Sequence, residues 1–113
     1  MEYRFETIGN VTKVALDGRL VASCSKEFKE AMLDHLNESK NILIDLKGMS
    51  HIDSSGLGVL VSILQQVNAG GGSLKLACLQ PRPRIVFDIT KVCRIFDIHD
   101  TVEDAMASFE AKP

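Results

Sequence analysis

The run from Ile42 to Leu46 constrains the fold more than any other stretch of the sequence. Four of its five residues are large and aliphatic, and such a run is typical of a central strand that is covered on both faces or lies deep in a mixed sheet. A short polar loop is predicted to follow. Residues 55–68 then carry apolar side chains at the i, i+3, i+4, i+7 spacing of a helix, which the glycines at 70–72 end. The middle of the chain is therefore predicted to be a strand, a loop and a helix.

A β-hairpin is predicted near the start of the sequence. Residues 3–8 alternate weakly between apolar and polar side chains, and residues 11–16 are mostly β-branched or apolar, so both patterns indicate strands. Gly9-Asn10 is a turn signal between them, and Asp17-Gly18 is expected to end the second strand. We interpret the two segments as an N-terminal hairpin.

The remaining elements alternate between helix and strand. They are a helix capped by Ser23 or Ser25 and running to about Asn37, a strand over 73–78, a short helix over about 84–90, an ambiguous part-loop and part-strand segment over 93–98, and a helix capped by Asp100 or Thr101 and reaching about Phe109. This order predicts an α/β fold, a mixed β-sheet with about four helices packed against it. With 113 residues, the chain is expected to form a single domain over 1–113.

The charge and hydropathy of the chain argue against two classes of partner. The formal net charge is −2, with no run of Lys or Arg, so nothing favours binding to nucleic acid or to an anionic membrane. The first six residues contain no apolar signal segment, and the apolar-rich stretch at 57–64 is far too short to cross a bilayer. The protein is expected to be cytoplasmic.

Metal, cofactor and enzyme chemistry have little support in the sequence. Cys24, Cys78 and Cys93 lack metal-ligand spacing and are expected to be reduced, buried thiols, and the three histidines are isolated. The nucleophile elbow of hydrolases and the glycine-rich phosphate loop are both absent from the sequence. We therefore expect no metal, no cofactor and no enzymatic activity, although a Ser-His-Asp triad with members distant in sequence stays open.

Asp53-Ser54-Ser55 is the main concentration of polar chemistry, and it lies where the central helix begins. Each of these residue types is a good N-cap, but one cap is enough, so at least one side chain is free for another role. Gly56 and Gly58 follow in the first turns, where each glycine costs about 1 kcal/mol relative to alanine. That cost suggests that something approaches the backbone closely at this point.

The start of the central helix is apolar almost all round. Its large side chains cannot all face one core, so Val59 and Ile63 are candidates for a small exposed patch that docks a partner. The alternative is that another segment of the same domain covers them. The sequence leaves both interpretations open.

Four segments of the chain resemble the STAS family, and within it the small bacterial anti-sigma factor antagonists. Ile52-Asp53-Ser54-Ser55-Gly56-Leu57-Gly58 resembles the family's D-S-S/T-G-L-G signature between a strand and a helix. Residues 17–20 resemble its G-x-L after the second strand, residues 71–76 its G-G-x-L strand, and residues 86–90 its F-x-[IL]-[ST] helix. The resemblance covers nearly the whole chain and implies a mixed β-sheet carrying helices.

The resemblance also implies a switch and not an enzyme. In the family, the serine after the motif aspartate, here Ser54, is phosphorylated by an ATP-dependent serine kinase that is also the anti-sigma factor. The unphosphorylated antagonist binds this kinase and releases the sigma factor, and a PP2C-type phosphatase resets it. The residues implied in partner binding are Asp53, Ser55, Gly56, Leu57, Gly58 and Val59. With Ser54 as the acceptor and Asp53 as its charged neighbour, we interpret Ser55 as the local cap of the helix. An alternative within the same family is a STAS subunit that binds the ATPase of a lipid-transport ABC complex.

Two positions depart from the family pattern. Many antagonists carry an aspartate after G-x-L, where this chain has Val21, and the departure bears on which kinase is recognised. The glycine and leucine that are frequent after the F-x-[IL]-[ST] helix are Lys91 and Val92 here, which bears only on how that helix ends.

Overall fold

The computed structural model describes residues 1–36 and 40–110 of the chain. In this part a five-stranded sheet with strand order β1-β2-β3-β4-β5 carries four helices. The strands are β1 (Glu2–Ile8), β2 (Val11–Leu20), β3 (Asn41–Ile52), β4 (Ser73–Ala77) and β5 (Asp97–His99). The helices are α1 (Ala22–His35), α2 (Ser54–Ala69), α3 (Pro81–Thr90) and α4 (Val102–Glu110), with a 3-10 turn at Val92–Arg94. The predicted fold class is confirmed.

The sheet is mixed, because its first pair of strands is antiparallel and the other pairs are parallel. β1 and β2 form the predicted hairpin around Gly9, whose φ of 62° suits a tight turn. β2 pairs with β3, β3 with β4, and β4 with β5, each in parallel. Helices connect these parallel strands, as such connections require.

Two strands are longer than the sequence predicts. β2 continues through Asp17-Gly18 to Leu20, and the polar loop expected after Leu46 is instead the second half of β3, which ends at Ile52. The two extensions pair with each other, with register shifts between Ala15 and Asp17 and between Gly18 and Arg19. The prediction was wrong because backbone pairing, which side-chain polarity does not report, keeps this segment extended.

Helices cover both faces of β3. Ile42 and Ile44 belong to the main hydrophobic core, which also contains buried residues of α1, α2 and α3. Leu43, between them in sequence, belongs to a second core with Ala105 and Phe109 of α4. Since successive side chains of a strand point to opposite faces, α1 to α3 lie on one face and α4 on the other. The prediction of a strand covered on both faces is confirmed.

The helix ends match the sequence predictions only in part. α1 begins at Ala22 after Val21, so Ser23 and Ser25 lie inside the helix and neither caps it. Its predicted end at Asn37 lies outside the described residues. α3 begins at Pro81 and not at about 84, with a proline at its first position. The predicted cap of α4 is confirmed for Thr101, whose hydroxyl accepts a hydrogen bond from the Asp104 N–H at 3.0 Å.

The end of α2 follows the glycine prediction. Gly71 has a φ of 79°, and the Gly72 N–H donates to the Val67 carbonyl at 2.9 Å, which is the Schellman arrangement at a helix C-terminus. No helix in the described part of the chain is long and apolar enough to span a membrane.

Candidate functional site

The first turns of α1 and α2 lie side by side because their strands end together. Leu20 of β2 pairs with Ile52 of β3, and since the two strands are parallel, the chain leaves the sheet twice at the same edge. α1 then begins at Ala22 and α2 at Ser54. We call residues 21–23 and 53–55 the paired helix starts. The sequence does not reveal this neighbourhood, because the two segments are about thirty residues apart.

Asp53 joins the two helices. Its backbone is extended, with φ of −115° and ψ of −174°, as expected for an N-cap. One carboxylate oxygen accepts a hydrogen bond from the Gly56 N–H at 2.9 Å, and the other accepts from the Ala22 N–H at 3.1 Å. The Asp53 N–H in turn donates to the Leu20 carbonyl at 3.3 Å. Asp53 is therefore the cap of α2, and the prediction that Ser55 caps it was wrong.

The hydrogen bonds of Asp53 keep its carboxylate ionised. The bond from the Gly56 N–H is the main reason that the Asp53 pKa lies below its ordinary value of 3.8, and the bond from the Ala22 N–H acts in the same direction, while partial burial opposes both. At neutral pH a negative charge therefore lies between the positive ends of α1 and α2, where the helix dipoles favour it.

Ser54 and Ser55 are the first two residues of α2, and both are exposed. Within the described residues the Ser54 hydroxyl has no hydrogen-bond partner. Because Asp53 already caps the helix, neither serine side chain is needed for that role. An exposed, unengaged hydroxyl at a helix N-terminus is accessible to a modifying enzyme, and the helix end tolerates added negative charge.

The two glycines of the signature have different environments. A Cβ atom on Gly56 would lie 2.8 Å from Cγ1 of Ile52 and closer still to the Leu20 carbonyl oxygen. The close approach predicted from the glycines is therefore made by the chain itself at Gly56. A Cβ on Gly58 would have no atom within 4 Å, and Gly58 is exposed. Only Gly58 leaves space that a partner can fill.

The candidate exposed patch at the start of α2 does not exist in the free chain. Val59 is 8% exposed and Ile63 is fully buried, and Leu57 is also buried. α2 packs against β3, β4 and α1 together, so apolar side chains around most of its circumference are covered. Of the two interpretations that the sequence leaves open for Val59 and Ile63, coverage by the same domain is the correct one.

Val21 explains why Asp53 serves both helices. Val21 is the N-cap residue of α1 and has no side-chain acceptor for that helix. The Ala22 N–H is instead satisfied by the Asp53 carboxylate. The departure from the family pattern noted at Val21 thus lies within the paired helix starts. No sequence signal for this contact was recognised, because Ser23 or Ser25 was expected to cap α1.

One serine–histidine contact lies near the end of β3. The Ser50 hydroxyl donates to the Gly18 carbonyl at 3.2 Å, so its oxygen accepts from Nδ1–H of His51 at 2.9 Å. Nε2 of His51 then accepts from the Arg82 guanidinium at 3.1 Å. His51 is a donor to this serine and not its base, so the contact does not form a catalytic relay.

A second serine–histidine contact links β5 to α4. Ser108 Oγ lies 3.4 Å from Nε2 of His99, and an Asp97 carboxylate oxygen lies 2.9 Å from the same nitrogen. A relay needs the acid and the serine on opposite ring nitrogens, so this cluster does not meet the requirement either. Within residues 1–36 and 40–110, no three His, Cys, Asp or Glu side chains are grouped as metal ligands.

Comparison with known proteins agrees with the fold. The model of the STAS domain family matches residues 2–105 of the chain. The anti-sigma-B factor antagonist of Bacillus subtilis is 35% identical to it over 89 residues, which are 79% of this chain and 82% of that protein.

Solved structures also share the fold. The crystal structure of the protein TM1081 from Thermotoga maritima matches 94% of this chain and 92% of its own chain, with a TM-score of 0.89 and 28% identity. The anti-sigma factor antagonist SpoIIAA matches 98% of this chain and 100% of its own in its unphosphorylated form, with a TM-score of 0.76 and 17% identity. The phosphorylated form of SpoIIAA from Bacillus matches 96% and 99%, with a TM-score of 0.75 and 19% identity. With its fold, its Asp-Ser-Ser-Gly helix start and the family match over nearly its whole length, the chain belongs to the STAS domain family.

Proposed function

We propose that this protein is an anti-sigma factor antagonist that is switched by phosphorylation of Ser54. The observation that carries the proposal is the exposed Ser54 hydroxyl, which is unengaged by any described residue at the first position of α2. It stands beside the ionised Asp53, which caps the helix independently of it. The relative from Bacillus subtilis, which is named an anti-sigma-B factor antagonist, supports the function.

The physical chemistry of this position suits a switch that leaves the fold intact. A phosphoserine carries about −1.5 to −2 charges at neutral pH. At Ser54 the charge meets the positive end of α2, which stabilises it. The existence of SpoIIAA structures in both phosphorylation states, each matching this chain, supports a fold that tolerates the modification.

The same charge disfavours docking. Asp53 already places a negative charge at the paired helix starts, so a phosphate on Ser54 creates a compact anionic site. Acidic groups of a partner are repelled by it, and apolar groups lose contact because the phosphate keeps its water. The proposed direction of the switch is thus that the unphosphorylated form binds and the phosphorylated form does not.

The proposed partners are an anti-sigma factor that is also an ATP-dependent serine kinase, and a PP2C-type phosphatase that removes the phosphate, all acting in the cytoplasm. Among the implied partner-binding residues, Ser55 and Gly58 are exposed and Asp53 is partly exposed. Gly56, Leu57 and Val59 are buried, so their proposed contribution is to shape the surface from beneath. None of the relatives reported above is named as a subunit of an ABC complex, so no specific observation favours that alternative.

Mass spectrometry after incubation with the cognate kinase and ATP tests the acceptor. We expect one phosphate, located on Ser54, which is lost in Ser54→Ala and retained in Ser55→Ala. Ser55 is the matched control because it is the neighbouring hydroxyl and is also exposed. Phosphate confined to Ser55, or no phosphate at all, would contradict the proposed switch.

Binding measurements test the consequence. Ser54→Asp is expected to weaken kinase binding by about tenfold or more, as the loss of a complementary charge arrangement at an interface does. Its far-UV circular dichroism should match that of the wild type, because the charge lies at a helix N-terminus. Unchanged affinity for the kinase, or a circular-dichroism spectrum that has lost the wild-type secondary structure, counts against the mechanism.

A further inference from the structure

Large hydrophobic side chains are exposed on α3 and just after it. Ile85 is 57% exposed, Ile89 is 73% exposed and Ile95 is 54% exposed. In the described part of the chain, these three are the large hydrophobic residues that are exposed. Ile85 and Ile89 are four residues apart and therefore share one face of the helix. Ile95 follows the 3-10 turn, which packs on α3.

These isoleucines are not a misplaced part of the core. α3 already buries Phe87 and Pro83 on its inner side, and Phe87 contacts Phe96 at a ring distance of 6.0 Å. The helix is thus anchored without Ile85 and Ile89, which point away from the anchor. Exposed apolar groups of this size on a ten-residue helix indicate a contact surface.

Basic residues lie close to these isoleucines in the sequence. Residues 81–95 contain four basic residues and one acidic residue, a net charge of +3, although the whole chain has a net charge of −2. Arg82 contacts His51, and Arg84 donates to the Leu79 carbonyl. Lys91 and Arg94 are exposed and, among the described residues, have no ion-pair partner. Their charge is available to a partner.

The charges decide between three possible occupants. A second copy of the chain would place two net-positive surfaces against each other, because no other exposed large hydrophobic side chain is present in the described residues to receive this face. An anionic membrane would attract these basic residues, but it extends beyond them and would repel the rest of the chain, whose net charge is −5 (−2 minus +3). A protein surface that is apolar at its centre and acidic at its edge meets neither objection.

We propose that residues 81–95 form an interaction surface, the α3 surface, that binds an acidic amphipathic helix of another protein. Side chains four apart on a helix form the ridges that pack into the grooves of a facing helix, and such a pair supplies the apolar anchors of helix recognition. Lys91 and Arg94 then select a helix with Asp or Glu beside its apolar stripe.

The α3 surface differs from the proposed phosphorylation site. α3 packs on β3 and on the 3-10 turn, whereas α2 packs on α1, β3 and β4. The contacts proposed for the α3 surface use Ile85, Ile89, Lys91 and Arg94 and not Ser54, so binding there goes beyond the proposed switch.

Two synthetic helical peptides with the same leucine stripe test the proposal, one carrying glutamates and the other lysines at the remaining positions. We expect the glutamate peptide to bind at least about tenfold more tightly and to lose affinity as salt rises, because the rim charges are exposed and screened. Amide chemical-shift changes are expected in residues 81–95.

Matched variants identify the residues responsible. Two double variants are compared, Ile85→Ser with Ile89→Ser and Lys91→Glu with Arg94→Glu. Each should weaken binding of the glutamate peptide about tenfold or more, while its thermal unfolding transition shows that the variant is still folded. Ser54→Asp should leave the affinity unchanged.

The proposal is overturned if neither peptide binds, if both bind equally, or if the isoleucine variants bind as the wild type does. It is equally overturned if the isoleucines instead drive dimerisation in analytical ultracentrifugation or binding to vesicles of neutral and anionic lipid.

Discussion

Gly56 and Gly58 provide a matched pair for testing how the start of α2 is held. Both are glycines in the first turns of the same helix. Replacing a helical glycine by alanine removes a propensity cost of about 1 kcal/mol. At Gly58 the new methyl group has no atom within 4 Å, so Gly58→Ala should stabilise the protein by about 0.5–1 kcal/mol.

The same change at Gly56 should have the opposite sign. The added Cβ would lie 2.8 Å from Cγ1 of Ile52, 3.0 Å from Cγ of Leu20, and nearer to the Leu20 carbonyl oxygen. That carbonyl is held in place because it accepts the Asp53 N–H. Relief requires α2 to move away from the end of β2, and overpacking of this kind costs about 1–3 kcal/mol or more. The contact with a backbone oxygen puts the cost at the upper end, about 3 kcal/mol, so after the propensity gain of about 1 kcal/mol we expect a net loss of about 2 kcal/mol.

Thermal and urea denaturation followed by circular dichroism measure both changes. For a chain of 113 residues the unfolding entropy is about 0.24 kcal/mol/K, so 1 kcal/mol shifts Tm by about 4 °C. Gly58→Ala should thus raise Tm by about 2–4 °C, and Gly56→Ala should lower it by about 8 °C. If the two variants are equally stable within about 0.5 kcal/mol, the close contact between α2 and Leu20 does not constrain the helix start.

Two further predictions concern a cap and a turn. Asp53→Asn should flatten the pH dependence of the unfolding free energy. Because the pKa of Asp53 is lowered in the folded state, the stability that its carboxylate contributes is present at neutral pH and is lost as pH falls below about 4. Urea titrations at several pH values measure this dependence. An unchanged pH profile would contradict the double hydrogen bonding of that carboxylate. Gly72→Ala should lower the unfolding free energy by about 3 kcal/mol or more, because its Cβ would overlap the Lys40 carbonyl group. Gly9→Ala should lower the unfolding free energy by only about 1–2 kcal/mol, because the φ of 62° is its only unfavourable feature. Equal losses for Gly72→Ala and Gly9→Ala in urea denaturation would refute the argument from the Lys40 overlap.

Local patterns in the sequence were sufficient for several elements. The hairpin of β1 and β2, the first half of β3, the helix α2 with its glycine stop, and the Thr101 cap of α4 are each specified within about a dozen neighbouring residues. Their side-chain periodicity and turn chemistry act over short distances along the chain. The family resemblance pointed to the same signature, because the Asp-Ser-Ser-Gly segment is also contiguous.

The features that the sequence did not predict share a different property. The second half of β3 is extended because it pairs with β2, and Val59 and Ile63 are covered because α2 packs on two strands and α1. Asp53 reaches the Ala22 N–H across 31 positions in sequence. The exposure of Ile85 and Ile89 likewise depends on packing, since Phe87 and Pro83 take the inner positions of α3.

The sequence by itself therefore determined the order of the elements, the family and the position of the serine at a helix start. Only the tertiary structure decided that Asp53, and not Ser55, is the cap, that this one carboxylate joins α1 to α2, and that Ser54 is left exposed and unengaged by the described residues. The physical reason is that capping needs an acceptor within hydrogen-bond distance of a particular N–H. Parallel pairing of β2 with β3 supplies that proximity, and no local sequence pattern encodes it.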